Sequence, residues 1–401
     1  MTASCDIAMV TYDLRASGVV RNALWIAAAA RDAGLRVEMR LVRRQGEFLD
    51  RVPEGVPLVP LYTAPTARQR DLDSVLAVPR LARSIAARRP HVLFSVGNQM
   101  HLHTALALCG RDRGAMRCVG RISNAVAAAS PHGARLRPLV RGVERFQFRA
   151  FDRLIPISHE LGAQLVSAIG IPPGRISVIR NGIDLAAQAR AGQGDPGHPA
   201  FDDPATPVIV VVGRIARQKD FPTLLRAFAI ARRQRPLRLV HLGRGDPGRL
   251  SGLAQRLGID RDVWFAGHVA APAAFVARAA LFVSSSRWEG AGNVILEALA
   301  CGTPIVATAA PTGIREILEP GDLAPLVPIG DAAALGQAIL DRLDRPRDSA
   351  RLTARAKESD LAETLGRYVD LLRDEVALAA GGACTAARGA AVPAQAEGHA
   401  R

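Results

Sequence analysis

Two glutamates, Glu289 and Glu297, stand with seven residues between them in the stretch SSSRWEGAGNVILEALACGTPIVAT, residues 284–308. Carboxylates are good acceptors for vicinal hydroxyls. Glu289 lies in a loop with Gly290 and Gly292, ahead of a helix that Glu297 enters by about one turn. The pair can flank an opening in which the ribose and hexose of a sugar nucleotide sit. The backbone N–H groups from Gly290 to Asn293 then face a diphosphate at the helix start, where anions are favoured. A glutamate this early in a helix also complements the helix dipole, worth about 0.3–1 kcal/mol, and that alone accounts for Glu297.

A second segment carries cations. Gly213-Arg214-Ile215-Ala216-Arg217-Gln218-Lys219 places a glycine at a strand exit and a cationic loop before a helix. Glycine lets a phosphate approach the backbone, and lysine is a compact point charge suited to a diphosphate oxygen. The same residues also make a solvated basic loop. Gly243-Arg244-Gly245 follows another strand and reads equally well as a tight turn.

The elements that must position these loops alternate strand with helix. Residues 5–11, 36–42, 91–96, 117–122 and 153–157 read as strands, with a helix over 20–33 closing a βαβ unit. Residues 186–206, rich in Ala, Gly, Pro and Asp, read as a linker. Strands at 207–212, 237–242, 262–265, 280–284 and 304–307 follow, with helices between them at 222–233, 248–257, 272–279 and 293–300. The expectation is α/β: two Rossmann-like domains, 1–185 and 207–357, facing across a cleft. A terminal helix is expected at 358–376 and a disordered tail at 377–401. Ligands bind outside the carboxyl ends of such sheets, where these loops fall.

Composition narrows the classes. The chain has 401 residues and a formal charge of +15, and 50 of its 52 basic residues are arginines; Lys219 and Lys357 are the two lysines. Residues 1–185 hold 26 basic and 14 acidic residues (+12), and 186–401 hold 26 and 23 (+3). An anionic partner is therefore expected at the first half. Aromatics are 4%, too few for the stacking platforms of a nucleic-acid binder, so no nucleic-acid partner is expected. Five scattered cysteines suit a reducing compartment. The N-terminus lacks the pattern of a signal peptide and no 18-residue apolar run occurs. The expected location is cytoplasmic, with contact to the inner membrane face. Arg137, Arg141, Arg145, Arg149 and Arg153 recur every four residues beside Val143, Phe146 and Phe148, a basic stripe suited to an anionic lipid surface.

Together the segments GRIARQKDFPTLLRAF, VHLGRGD, VWFAGHV, SSSRWEGAGNVILEALACGTPIVAT, TGIREIL and LVPIGD resemble the retaining glycosyltransferases of family 4, densely over residues 207–331. The first half matches loosely, through the opening βαβ unit, ISHEL at 157–161 and NGID at 181–184. The resemblance implies the GT-B architecture and transfer of a hexose from a nucleoside-diphosphate sugar to an acceptor hydroxyl, without cofactor or metal. It implies that Glu289 contacts the hexose, that Glu297 holds the ribose, and that Arg214 and Lys219 meet the diphosphate. By the same resemblance Gly213, Gly243, Gly290, Ala291, Gly292, Asn293 and Val294 line the donor, and His268 and Val269 pack on the base. Ser17 and Gly18 fall where the family often has a Gly-Gly loop near phosphate and acceptor. Ala291 replaces a bulkier apolar residue of many relatives, and Arg121-Ile122-Ser123-Asn124 lacks the histidine many carry there, so no catalytic histidine is assigned. The acceptor expected is a lipid-linked saccharide of surface polysaccharide assembly. A soluble phosphorylated sugar or metabolite is the alternative, and a nucleic-acid binder on a degenerate enzyme fold is the alternative of another class.

Overall fold

The computed structural model describes residues 5–62, 70–126, 137–290, 292–318 and 323–388. The first sheet contains β1 (Ile7–Thr11), β2 (Val37–Arg43), β3 (Leu58–Tyr62), β4 (Val92–Ser95), β5 (Arg117–Ile122) and β6 (Arg153–Pro156). The second contains β7 (Val208–Val212), β8 (Arg238–Leu242), β9 (Val263–Phe265), β10 (Leu281–Ser284), β11 (Ile305–Thr308) and β12 (Leu326–Val327). The helices are α1 (Gly18–Asp32), α2 (Arg70–Ala87), α3 (Asn98–Leu108), α4 (Arg137–Arg149), α5 (His159–Gln164), α6 (Leu185–Gly192), α7 (Phe221–Gln234), α8 (Gly248–Arg256), α9 (Pro272–Arg278), α10 (Asn293–Ala300), α11 (Ile314–Leu318), α12 (Ala332–Leu343), α13 (Ser349–Lys357) and α14 (Leu361–Arg388).

The strand orders are β3-β2-β1-β4-β5-β6 and β12-β11-β10-β7-β8-β9. Every pairing is parallel. Each half is thus a doubly wound sheet whose winding reverses beside its first strand, at β1/β4 and β7/β10. Crevices form at such points, outside the carboxyl ends. The apolar runs IAMVT and VIVVV suit central strands covered on both faces. β3 was not expected. It carries Pro60, which a central strand excludes, but it lies at the sheet edge, where a missing N–H is tolerated.

Three boundaries differ from expectation. The stretch 186–206 is not a bare linker. Asp184 caps α6 by accepting from Ala187 N (2.8 Å), and α6 packs on α9. Ala200 is fully buried, and the His198 ring stands edge-on to Trp264 and Phe275. Alanine is the strongest helix former, so an Ala-rich composition was misread as linker chemistry. The terminal helix starts at Leu361 and runs to Arg388, past the expected end at 376, with Ala379 buried; the remainder of the tail lies outside the described residues.

The chain crosses between the halves twice. The outgoing and returning strands lie side by side: Ile183 N donates to Ser359 O (2.8 Å) and Leu361 N to Ile183 O (3.2 Å). A Cβ on Gly182 would lie 2.7 Å from Leu361 Cα, so the crossing requires glycine there. After it, α14 lies on the first half, where Tyr368 and Leu372 join the core formed by Val20, Leu24 and Phe94. Part of the basic charge is internal. Arg40 and Arg121 are buried, and Arg117 and Arg153 both grip Glu375 of α14, at 2.7 and 3.0 Å.

His101 of α3 is wholly buried between Ser95 Oγ (2.7 Å) and the Arg121 carbonyl (3.1 Å). The carbonyl only accepts, so Nε2 carries the proton and Nδ1 accepts from Ser95. Burial, helped by the Arg121 charge, pushes the imidazole down to about 4. The unfolded chain takes up this proton first. The associated stability is fully present above about pH 6.5 and falls toward pH 4, with a limiting slope of about 1.4 kcal/mol per unit. Melting temperatures between pH 7 and 4.5 should fall less steeply for His101→Gln than for wild type; equal slopes would assign the acid sensitivity elsewhere.

Candidate active site

The loops singled out from sequence leave the carboxyl ends of β7, β8 and β10 and are locked to one another there. Gly213 has φ +153, and a Cβ on it would lie 2.8 Å from Lys219 Cε, so the lysine folds back across bare backbone. A Cβ on Gly243 (φ +159) would lie 1.9 Å from Gly213 O. His241 Nε2 donates to that same oxygen at 2.7 Å, and burial lowers the His241 pKa. Asp220, in the left-handed region at φ 46, turns the chain into α7. Its carboxylate accepts from Thr223 Oγ1 (3.0 Å) and Arg287 Nε (2.9 Å), which hold that strained residue in place.

Lys219 and Glu289 meet directly. Lys219 Nζ is 2.6 Å from Glu289 Oε1, and their side chains are 16% and 9% exposed. Ser286 Oγ donates to the same oxygen at 2.5 Å, and Thr312 Oγ1 to the Glu289 carbonyl. Ser285 Oγ donates to Lys219 O at 2.7 Å. Residues separated by seventy positions thus form one buried cation–carboxylate unit at the β7/β10 switch point.

Gly292, at φ 60, caps α10. Gly290 is buried against the first half: a Cβ on it would lie 2.2 Å from Ser123 O. Asn293 faces Gly18, whose own Cβ would lie 2.8 Å from Asn293 Nδ2. Ser17 caps α1 by accepting from Val20 N (3.2 Å), so α1 begins at Gly18, directly opposite α10. Glu297 accepts from Arg21 Nη2 of α1 at 3.1 Å, and that guanidinium lies over the Trp25 ring. Arg244 reaches across to Glu47 at 2.8 Å and holds that carboxyl down to about 2.

Other expected residues are not among those locked together there. Arg214 and His268 are exposed, and Arg214 pairs with none of the described residues. Val269 and Val294 are half-buried against the second-half core. Ala291 lies outside the described residues. The basic stripe on α4 is thinner than expected. Arg145 Nε donates to Ile169 O (2.9 Å) and Arg153 is held by Glu375, leaving Arg141 and Arg149 exposed; the Arg137 side chain lies outside the described residues. The sequence also holds Asp-x-Asp tripeptides at 71–73 and 260–262, whose second aspartates pair with Arg43 (2.9 Å) and Arg232 (2.9 Å). Sequence reasoning missed Arg21, Glu47, Arg121 and Asn181. Asn181 carried a signal as the first residue of NGID, and Arg121 as the first residue of the stretch that lacks the expected histidine.

Two facing Rossmann-like halves, with glycine loops, helix starts and a buried Lys–Glu unit gathered at the cleft, define the GT-B class. The family model described as Glycosyl transferases group 1 matches residues 206–345, and that described as Glycosyltransferase Family 4 matches residues 16–187. The chain belongs to glycosyltransferase family 4. It is 33% identical over 276 residues to D-inositol 3-phosphate glycosyltransferase 1 of Catenulispora acidiphila, covering 62% of each chain. It is 29% identical over 196 residues to a Campylobacter jejuni enzyme named as an N-acetylgalactosaminyltransferase acting on a diphospho-undecaprenol saccharide, covering 48% of this chain and 51% of that one. The chain thus spans less than two thirds of these two relatives' lengths in the matched regions. Its fold matches Anabaena HepE, solved with UDP and glucose, with a TM-score of 0.73 at 20% identity over 92% of this chain and 99% of that one.

Proposed function

We propose that this chain transfers a hexose from a nucleoside-diphosphate sugar to an acceptor hydroxyl with retention of anomeric configuration. The observation that carries the reading is the buried Lys219–Glu289 unit beside the start of α10. The bond between the anomeric carbon and the phosphate oxygen breaks, and a bond to the acceptor oxygen forms on the same face. The leaving diphosphate takes the acceptor proton. Its developing charge is met by Lys219, by Arg214 and by the helix starts of α10 and α1, fixed donors of the kind that stabilise a transition state most. In this reading no metal is required, Glu289 contacts the hexose and Glu297 the ribose hydroxyls. A nucleotide-sugar screen by thermal shift tests it. Ligand at a hundred times its Kd adds about 2.7 kcal/mol, a shift of several degrees for a chain this size. No shift with any UDP, GDP, ADP or dTDP sugar at millimolar concentration would overturn the reading.

For the acceptor we favour a lipid-linked saccharide at an anionic membrane surface. α4 exposes Leu139 (67%), Val143 (41%) and Phe146 (41%) alongside Arg141 and Arg149. An amphipathic basic helix of this kind lies in a bilayer interface, each arginine adding about 1 kcal/mol near an anionic surface. The Campylobacter relative's named acceptor is of this class. No helix among the described residues is long and apolar enough to cross a membrane, so attachment in this reading is peripheral, on the cytoplasmic face. The chain should float with vesicles containing phosphatidylglycerol at low salt, and Leu139→Glu with Phe146→Glu should release it. Wild type that stays unbound would favour the second reading, a soluble phosphorylated acceptor, which the name of the Catenulispora relative supports. Neither reading involves nucleic acid.

A further inference from the structure

Arg121, near the end of β5, is 1% exposed, and no carboxylate among the described residues pairs with it. Its Nε donates to Tyr368 Oη at 3.0 Å, its Nη2 donates to Asn181 Oδ1 at 2.5 Å, and its Nη1 has no partner. A buried cation without a counter-ion is costly to hold, and a folding role alone is better served by an apolar side chain of similar volume.

The contacts beyond Arg121 indicate what the charge does. Asn181 Nδ2 donates to Asn293 Oδ1 at 2.7 Å, and Asn293 is the first residue of α10. The orientation of both amides follows from chemistry. A guanidinium has only donors, so Asn181 must turn its oxygen to Arg121 and its nitrogen to Asn293. Asn293 must then turn its oxygen to Asn181 and its nitrogen away, toward Gly18 at the start of α1. Every bond in this row donates outward from a charged root, and such rows polarise one another in a low-dielectric interior. The far end is an N–H aimed between two helix N-termini.

We propose that Arg121 and Asn181 are positioning residues that hold the Asn293 amide as a hydrogen-bond donor to the diphosphate of the bound nucleotide. The inference rests on the nucleoside-diphosphate reading given above. Tyr368 fixes the root of the row, so α14 contributes to a site it does not touch.

The test is calorimetric titration of the full chain with UDP, GDP and ADP, together with its melting temperature. Asn181→Asp gives Arg121 a carboxylate and removes the N–H that orients Asn293. A structural role predicts unchanged or higher stability and unchanged affinity. The positioning role predicts a melting temperature at or above wild type with affinity about tenfold to a hundredfold weaker, the range of one charge-assisted hydrogen bond. Asn181→Leu, which adds no charge, should show the same weakening, and Tyr368→Phe a severalfold one. Asn181→Leu with wild-type affinity would overturn the relay, since any loss in Asn181→Asp would then be charge repulsion. Binding that Asn181→Asp leaves untouched overturns the relay alone. Absence of binding of all three nucleotides to the wild type overturns the donor reading as well.

Discussion

Lys219→Ala is expected to lower turnover by about tenfold to a hundredfold or more and to cost stability at the same time. The lysine gives the Glu289 carboxylate its cation at 2.6 Å in a nearly buried setting. Removing one partner of a buried pair typically costs about 3–5 kcal/mol, because the other is left uncompensated; the partial exposure of Lys219 places the loss at or below the lower end. In the proposed reaction the variant also loses a charge-assisted contact to the leaving diphosphate, worth about 1.5–3 kcal/mol. Glu289→Gln separates the two effects. Glutamine keeps the shape and an oxygen that can still accept from Lys219 Nζ and Ser286 Oγ, so stability should fall less than in Lys219→Ala while turnover falls at least tenfold. The double variant should be less impaired in stability than the sum of the singles, as expected for residues in contact. Normal turnover in folded Lys219→Ala would remove the lysine from the donor site.

Gly290→Ala should abolish most turnover while leaving both halves folded. Gly290 is not among the residues with positive φ, so alanine suits its backbone. The obstacle is the other half of the molecule: the new methyl would lie 2.2 Å from Ser123 O and 3.1 Å from Asn124 Oδ1. Ser123 cannot yield easily, because Asn98 Oδ1 accepts from both its N–H (2.8 Å) and its hydroxyl (3.1 Å). The cleft must therefore open locally by about an ångström, a misplacement that costs on the order of a hundredfold in rate. Donor affinity, built mainly from the second half, should fall far less than turnover. Gly243→Ala is the contrasting case, since its clash with Gly213 O lies inside one domain and should destabilise the fold. Full activity in Gly290→Ala would show that closure at this point is not needed.

The second half was readable, β12 apart, because most strands there are short apolar runs and the site residues gather in the loops and helix starts that follow them, places that local pattern identifies. The first half was less so. β3 was hidden by Pro60, and α6 by a composition that looked like a linker. The site was legible mainly within the second half; of the first half, Ser17 and Gly18 were singled out and do face Asn293. Lys219 stood out as one of two lysines, and the structure supplies a reason for its type: its slender stem crosses the bare backbone of Gly213 and ends in a point charge on Glu289. Nothing local marks Arg21 as the partner of Glu297, or Arg121 as the root of a row ending at Asn293. Those pairings exist only once two domains are docked. The basic excess was likewise read as surface charge, although Arg40 and Arg121 are fully interior.

The return of α14 to the first half bears on how such proteins are inherited. Because Tyr368 and Leu372 complete a core begun by β1 and α1, the first domain is not one uninterrupted stretch of the gene. The second half is spliced into it, with both joints held together by the pairing of Ile183 with Ser359 and Leu361. A recombination event that exchanges this half for another must cut at two places, and a fusion with a single junction leaves the first half without α14.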